Sequence, residues 1–290
     1  MEFHLFLPQM RMALDVMVAR ARTAEEAGFR GMALMDHLAP PQAVGQPMYE
    51  SMVTATWLAA HTERLVLGHL VLCDALRHPA VLAREAVTID HASNGRFELG
   101  IGWGSVPDEL DTFGVGLEPP PVRVRRLAET LDIVRALWSG ESVDYSGEFF
   151  KLLAAQQLPV PLGTIPILIG GAGRRTLELV AAHADVWNLP AHDLARLDEL
   201  RPLAGTAKVS VQQLIALVPS EAAREQTTQT AQRRFAWMGD GLVIGDPDEI
   251  TAHFAAMRDR GVERIYTWFA DFGVPETLTL FGERVIAQLA

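Results

Sequence analysis

The sequence predicts a parallel α/β fold, specifically a (β/α)8 TIM barrel. Eight apolar runs rich in Val, Ile, Leu and Phe alternate with longer stretches of helical periodicity along the 290 residues. Strands that alternate with helices form parallel sheets, and eight such units close a barrel. A doubly wound open sheet would alternate in the same way but usually has fewer units. Because β/α barrels of this length fold as one unit, we expect a single domain over 1–290.

The predicted elements follow one another along the chain. Strands are predicted at 3–7, 31–36, 65–72, 96–101, 165–169, 185–188, 209–218 and 264–269. Helices are predicted at 13–27, 49–62, 79–92, 122–138, 174–183, 192–204, 220–237, 247–260 and 276–289. Gly28, Gly140 and Gly261 stand just after helical stretches, where glycine commonly ends a helix.

Two insertions interrupt this alternation. Residues 106–121 follow the fourth strand and include three consecutive prolines, and residues 141–164 precede the fifth strand as a β-hairpin with a Pro-rich connection. Long connections in a compact domain are commonly functional covers. We therefore expect both insertions to cover the mouth of the barrel.

Composition excludes several classes of function. Acidic residues outnumber basic ones by 36 to 25, for a net charge of −11, which argues against nucleic acid as a partner. The one cysteine excludes an internal disulfide and a multi-cysteine metal site. No apolar run approaches the roughly 20 residues of a membrane span, and the N-terminus lacks the cationic region of a signal peptide. We expect a cytoplasmic protein with a small-molecule substrate and no membrane partner.

The carboxyl ends of the strands are the place to search for an active site, because β/α barrels carry theirs there. Asp36 and His37 form an adjacent acid–histidine pair at the end of the second strand. Imidazole titrates near working pH, and a neighbouring carboxylate can hold its tautomer. We predict both residues as catalytic; the alternative is a loop histidine beside a helix-capping aspartate.

A glycine-rich turn after the fifth strand is the strongest local signal. Residues 169–177 lead from a strand through glycines directly into a helix, so that amides and the positive end of the helix dipole face one point. This arrangement suits the phosphate of a nucleotide-like cofactor, or else a tight turn with solvated arginines. The predicted phosphate-binding residues are Gly170, Gly171, Ala172, Gly173 and Arg174.

Other candidates carry weaker signals. Alternating glycines in 100–104 would let a flat ligand approach the backbone, or would merely relieve crowding. His4, His37 and His69 lie on the first three strands, but three or four converging ligands are not apparent, and we predict no metal. Cys73 also stands at a strand end, without an adjoining base, and is expected to be a buried or pocket-lining thiol.

Together these motifs resemble the bacterial luciferase-like superfamily over nearly the whole chain. The stretches that carry the resemblance are 24–29, 35–37, 76–85, 93–104, 167–177, 184–188 and 243–249. The resemblance implies a (β/α)8 barrel that binds FMN or the deazaflavin coenzyme F-420 (F420) across the strand ends, usually as a homodimer. The pair Asp36–His37 matches the deazaflavin branch, whereas flavin-using luciferases tend to carry a Glu-His-His run there.

The resemblance also implies roles for single residues. His37 would exchange a proton with cofactor or substrate, and Asp36 would orient the cofactor. The peptide between Leu70 and Val71 matches a non-proline cis bond that bulges against the ring. The remaining implied cofactor contacts are Cys73, Trp103 and Gly104 along the ring and Gly170, Gly171, Gly173 and Arg174 at the phosphate.

Departures from the family narrow the expected function. Its glucose-6-phosphate dehydrogenases carry a catalytic glutamate where this chain has Ser105, and they bind the sugar phosphate with lysines, of which this chain has two, Lys151 and Lys208. With Trp103, Trp187 and Trp268 expected near the rim of the pocket, we expect a small, mostly uncharged organic substrate.

Three functions are considered. We expect hydride transfer between F-420 and the substrate. The alternative is an FMN-dependent monooxygenase that uses reduced flavin and oxygen, and a third possibility is a non-catalytic flavin-binding protein. Helix 49–62 offers an apolar face for a homodimer.

Overall fold

The computed structural model describes residues 1–43, 45–104, 106–116 and 118–290, with only the main chain at 240. Its strands are β1 Glu2–Phe6, β2 Gly31–Leu34, β3 Val66–His69, β4 Leu72–Cys73, β5 Leu99–Gly102, β6 Val143–Ser146, β7 Lys151–Ala155, β8 Ile167–Gly170, β9 Val186–Leu189, β10 Lys208–Leu217, β11 Leu242–Gly245 and β12 Arg264–Phe269. Its α-helices are α1 Leu14–Glu26, α2 Ser51–Ala59, α3 Pro79–Ala92, α4 Pro107–Thr112, α5 Pro120–Trp138, α6 Arg174–His183, α7 Leu197–Leu200, α8 Arg224–Phe235, α9 Pro247–Asp259, α10 Pro275–Phe281 and α11 Ala287–Leu289.

A parallel barrel forms the centre of the fold and confirms the predicted fold class. Its strands are hydrogen-bonded in the order β3-β2-β1-β12-β10-β9-β8-β5-β4. The two ends of this path meet, because β3 and β4 are consecutive parts of one interrupted barrel strand. A bridge between Leu67 and Phe97 also joins β3 to the residues before β5. The extra strand β11 pairs with the last four residues of β10, beyond the stretch of β10 that pairs with β9.

Several element boundaries differ from the prediction. The third strand is interrupted between β3 and β4, where the Leu70–Val71 peptide is cis. The predicted helix 192–204 is a 3-10 turn (Ala191–Arg196), α7 and a second 3-10 turn (Arg201–Ala204). The helix predicted at 276–289 contains a π-helical turn at Gly282–Ile286, where a Cβ on Gly282 would lie 2.3 Å from the carbonyl oxygen of Ala27. Strand β11 was not predicted, because a four-residue apolar run carries little periodicity.

Buried side chains separate into an outer and an inner layer. The outer layer, between strands and helices, is a large apolar cluster that includes Leu5, while the next residue, Phe6, belongs to a smaller cluster inside the barrel. This alternation follows from the two-residue repeat of a strand. Towards the amino ends of the strands the interior is closed by polar side chains: Arg264 Nη1 donates to Glu98 Oε2 at 2.7 Å, and the Tyr266 hydroxyl donates to Glu98 Oε1 at 2.8 Å.

The two insertions occupy different places. Of the segment predicted at 106–121, residue 117 lies outside the described residues, and α5 begins at Pro120. Val106, Glu109 and Leu110 of this segment line the cavity at the strand ends. The second insertion, 141–164, was predicted to cover the mouth as well, and this is a correction: its hairpin β6–β7 lies on the outside of the barrel. Glu129 of α5 accepts hydrogen bonds from the amides of Phe149 and Phe150, both at 3.1 Å, and so fixes the hairpin turn.

None of the helices in the described part of the chain combines the length and the apolar character that a bilayer span requires.

Candidate functional site

A cavity of about 640 Å³ opens at the carboxyl ends of the barrel strands. Its walls come from the ends of β2, β4, β5, β8 and β9, from α4 and from the 3-10 segment Ala236–Gly241. No lysine or arginine is among the described residues that line it. The cavity brings together eleven of the twelve predicted site residues, namely Asp36, His37, Leu70, Val71, Cys73, Trp103, Gly104, Gly170, Gly171, Ala172 and Gly173.

Asp36 is held by protein groups on both of its oxygens. Its Oδ1 accepts from the Ser51 hydroxyl at 2.8 Å and from Arg77 Nη2 at 3.0 Å, and its Oδ2 accepts from the amide of Cys73 at 2.8 Å. Arg77 in turn contacts Glu50 at 2.7 Å. The carboxylate therefore ties the end of β2 to α2, to β4 and to the start of α3.

These contacts keep Asp36 ionised. Burial by itself would raise the pKa of the Asp36 carboxyl group, but the hydrogen bonds and charge of Arg77, the Cys73 amide and the Ser51 hydroxyl outweigh it and lower that pKa. Asp36 thus acts as a fixed anion that organises the cavity wall. It is not suited to exchange a proton with a ligand.

His37 is paired with an acidic residue that the sequence analysis did not select. Its Nδ1 lies 2.9 Å from Oε2 of Glu109 on α4, and its side chain is 20% exposed at the cavity. The other oxygen of Glu109 accepts from the amides of Leu38 and Ala39. A carboxylate on Nδ1 favours the tautomer whose Nε2 carries the lone pair. The arrangement therefore suits proton exchange at His37 Nε2.

The cis peptide and the glycines of β5 fit each other. A Cβ on Gly100 would lie 1.8 Å from the carbonyl oxygen of His69, and one on Gly102 would lie 2.8 Å from Val71 Cγ2. These two glycines therefore make room for the protein's own bulge at Leu70–Val71. Of the two alternatives left open by the sequence, these contacts favour relief of crowding for Gly100, while Gly102 and Gly104 also line the cavity.

Cys73, Trp103 and Gly104 form the adjoining wall. Gly104 has a φ of 88°, and a Cβ there would lie 2.9 Å from the Cys73 sulfur. Burial raises the pKa of the Cys73 thiol to about 11, so the sulfur is a neutral wall atom. Arg123 lies over the Trp103 ring, 4.7 Å from its centroid, and donates to the Gly104 carbonyl at 3.0 Å.

The glycine-rich turn leads into α6 at the cavity edge. Gly171 has a φ of 132°, which favours glycine, and its carbonyl accepts from the Trp187 indole at 2.7 Å. Helix α6 begins without a side-chain cap, so the amides of its first turn remain available to an anion. Trp103 Nε1 donates to the hydroxyl of Thr176 in that turn at 3.3 Å.

Arg174 is the predicted site residue that the structure does not bring into the cavity. Its side chain is 87% exposed and lies 3.6 Å from Glu178, one turn further along α6. Trp187 also departs from expectation, because it is fully buried in the outer core and does not reach the rim. Ser105, where the family's glucose-6-phosphate dehydrogenases carry a glutamate, lies outside the described residues.

The far side of the cavity carries residues that the sequence analysis missed. Asn188, with Nδ2 donating to the Ser210 hydroxyl at 3.2 Å, and Gln212 contribute carboxamides, and the exposed Trp237 stands at the edge. Gln212 could have been found from the alternation of β10, because it shares the inward face with Ser210. Glu109 carried no local signal, since its partner lies 72 residues away.

Histidines on the first strands do not converge. His4 and His69 are both buried, and within the described ranges there is no group of three or more His, Cys, Asp or Glu side chains that could hold a metal ion.

Comparison with known proteins places the chain in a family. The model of the luciferase-like monooxygenase family matches residues 1–208. An F420-dependent glucose-6-phosphate dehydrogenase of Microbacterium testaceum is 29% identical, in an alignment that covers 92% of this chain and 90% of that protein. An F420-dependent hydroxymycolic acid dehydrogenase of Mycobacterium tuberculosis is 31% identical over 68% of this chain and 54% of its own length.

Solved structures share the fold at low sequence identity. An F420-dependent secondary alcohol dehydrogenase superposes with a TM-score of 0.84 at 17% identity, covering 99% of this chain and 98% of that one. A riboflavin lyase solved with modified FMN gives the same TM-score at 16% identity, covering 99% and 91%. With the family model matching well over half of the sequence, the chain belongs to the luciferase-like monooxygenase family.

Proposed function

We propose that this protein is an F420-dependent oxidoreductase that transfers a hydride between the deazaflavin and a small, mostly uncharged organic substrate. The observation that carries the proposal is the cavity-lining His37, whose Nδ1 contacts Glu109 and whose Nε2 has no hydrogen-bond partner among the described residues. The relatives named F420-dependent dehydrogenases support the choice of cofactor.

The residues at the strand ends fit such a cofactor. The turn 170–173 has three glycines and one alanine, and it leads into the uncapped α6. The backbone can therefore approach a phosphate closely, and we assign the phosphate to this turn. Leu70, Val71, Cys73, Trp103 and Gly104 would lie along the ring. Asp36 would act indirectly, through the amide of Cys73.

When bound, the coenzyme supplies a ring carbon that accepts or donates a hydride. The protein would position the coenzyme and the substrate, exclude water from the reacting atoms and provide one side chain that exchanges a proton. His37 Nε2 takes the proton from a substrate hydroxyl during oxidation or returns it during reduction. Leu70, Val71 and Trp103 keep water from the reacting atoms. Arg174 would contribute at most weakly from its exposed position.

The cavity favours a mostly uncharged substrate. Its described lining has no cationic side chain, whereas a sugar phosphate needs cations or clustered donors for its dianion. Asn188 and Gln212 offer carboxamides for a carbonyl or hydroxyl group, and Trp237 offers an apolar surface. Secondary alcohols, the corresponding ketones and enones match these groups.

Binding and turnover test the proposal together. The purified protein is titrated with F420 and, separately, with FMN, and binding is followed by fluorescence quenching. Preferential F420 binding, followed by bleaching of F420 with an alcohol or its recovery with a ketone, is the expected result. If FMN binds preferentially and oxygen is consumed with reduced flavin, the function is that of a monooxygenase. Tight binding without any turnover would indicate a binding protein, and binding of neither would overturn the phosphate assignment.

The FMN-dependent monooxygenase remains the second candidate. It is supported by the structural likeness to the FMN-containing riboflavin lyase. Both cofactors present a phosphate and a tricyclic ring, so the same strand ends suit either one. The ring atom at position five separates them, since nitrogen there permits oxygen activation and carbon restricts the cofactor to hydride transfer.

We further propose a homodimer formed through α2 and a cytoplasmic location. Val53 and Trp57 of α2 are 70% and 45% exposed, and Val81 of α3 beside them is 52% exposed. Burying such side chains against a second copy would remove apolar surface from water. Light scattering of the wild type and of Val53→Glu tests the interface, with a shift from dimer to monomer expected.

We place the protein in the cytoplasm as part of the proposal, because a single cysteine suits a reducing compartment.

A further inference from the structure

We propose that Glu109 is a positioning residue, whose carboxylate fixes the His37 ring so that Nε2, as a proton acceptor, faces the cavity. The role rests on the proposed function, since it concerns the same proton site. It makes the insertion helix α4 part of the apparatus that transfers the proton.

Glu109 is itself held rigidly. One carboxylate oxygen accepts from the amides of Leu38 and Ala39, the latter at 3.0 Å, and the other lies 2.9 Å from His37 Nδ1. The side chain is 10% exposed. Because two backbone donors occupy Oε1, the carboxylate cannot rotate away without losing them. Oε2 is thereby left directed at the imidazole.

The helix that carries Glu109 is anchored next to the same site. Leu110, the following residue, is 1% exposed, and its Cδ1 would lie 3.7 Å from a Cβ on Gly104. By contrast, Asp108 and Asp111 on the same helix are exposed. Leu110 therefore holds α4 against the cavity wall, and Glu109 is the acidic residue of this helix that points inward.

Other titratable groups of the cavity do not compete for this role. Asp36 is occupied by Arg77, Ser51 and the Cys73 amide. Cys73 is a neutral thiol. His192 lines the rim with its side chain 82% exposed. Among the described residues, Glu109 is the carboxylate within hydrogen-bond distance of the His37 ring.

The tautomer of His37 is the property that separates positioning from simple structural support. Imidazole in water prefers the proton on Nε2, which would present a donor to the cavity. A carboxylate on Nδ1 reverses this preference and leaves Nε2 with its lone pair. Loss of Glu109 should therefore change the tautomer even in a fully folded protein.

The first test uses ¹⁵N-histidine NMR, which distinguishes the tautomers and needs no substrate. His37→Asn assigns the signal, and Glu109→Leu, Glu109→Gln, Asp108→Asn and Asp111→Asn are compared with the wild type. We expect the Nδ1–H form in the wild type and in both aspartate variants. A shift to Nε2–H is expected in Glu109→Leu, and also in Glu109→Gln, whose single oxygen stays with the Leu38 and Ala39 amides so that its NH2 group donates to Nδ1. An unchanged tautomer in folded Glu109→Leu would overturn the proposal.

The second test uses turnover with F420. We expect kcat in Glu109→Leu to fall on the order of 10²-fold, comparable to loss of a positioned acid–base group. A comparable fall is expected in Glu109→Gln, whose NH2 group donates to Nδ1, with the F420 dissociation constant unchanged within about twofold in both variants. A fall in Asp108→Asn as large as in Glu109→Leu would contradict the positioning role. If the wild type does not turn over F420, the proposed function fails, and the NMR result alone decides the role of Glu109.

Discussion

The two ends of the barrel contain similar polar residues but use them differently. At the amino end, Glu98, Arg264 and Tyr266 satisfy one another inside the barrel. At the carboxyl end, Asp36 is equally well satisfied, yet the neighbouring His37 has a ring atom left for the cavity. Buried charges that are fully paired hold a structure together, whereas a polar atom left unpaired at a cavity is available for chemistry. This difference supports the proposal that the chemistry centres on His37 and not on the better buried acids.

The largest expected effect is on chemistry. His37→Ala removes the proton site, so we expect turnover with F420 to fall on the order of 10²–10⁴-fold. Stability and cofactor affinity should change little, because the side chain is partly exposed and its carboxylate partner keeps two amide donors. Steady-state kinetics and urea unfolding measure the two effects. Full turnover with cofactor bound would show that the proton goes elsewhere.

The next effect is on stability at the opposite end. Arg264→Met leaves the Glu98 carboxylate buried without its cation, and we expect a loss of about 3–5 kcal/mol in the free energy of unfolding. Arg258→Met serves as the control, since its exposed pair with Asp259 at 3.5 Å should contribute below about 1 kcal/mol. Urea denaturation compares the two variants. Equal losses would mean that the interior network contributes no more than a surface pair.

A pH-dependent effect should arise behind the site, at His69. Burial lowers the pKa of this ring to about 4 from 6.5, against the opposing charge of Asp36. Between pH 6.5 and about 4, the His69 ring is therefore protonated in the unfolded chain but neutral in the native protein. Because the unfolded state binds the extra proton, the free energy of unfolding falls as the pH falls through this window. Free energies of unfolding measured at pH values of about 7, 5.5 and 4.5, which span the window, check this decline. His69→Leu should reduce the decline but not abolish it, because burial also lowers the pKa of His4. The exposed His192→Gln should leave the decline unchanged; the reverse pattern would contradict the assignment.

The smallest expected effect concerns Arg174. Its exposed guanidinium should contribute below about 1 kcal/mol to the free energy of cofactor binding. Arg174→Ala should therefore raise the F420 dissociation constant by less than about fivefold. Gly171→Ala should raise the dissociation constant more, because a Cβ there would lie 3.1 Å from Thr176 Cγ2 at a φ of 132°. Titrations of both variants measure this order. A larger loss in Arg174→Ala would mean that the side chain turns inward on binding.

Predictions from sequence succeeded where the signal is local. The barrel follows from alternating periodicities, and the strand-end positions of Asp36, His37 and the turn 170–173 follow from that alternation. They failed where two distant segments decide the outcome. The hairpin β6–β7 shows a strand–turn–strand pattern in sequence, but the Glu129 carboxylate decides that it packs on α5.

The sequence by itself determined the fold class and the residues that reach the strand ends, because both depend on neighbours within one β/α unit. Only the tertiary structure decided which of those residues keep a polar atom that is not hydrogen-bonded within the protein. Arg77 neutralises Asp36 across 41 positions, and Glu109 reaches His37 across 72. Such pairs form only when closure of the barrel brings separate loops to one edge, and a sequence pattern does not record that distance.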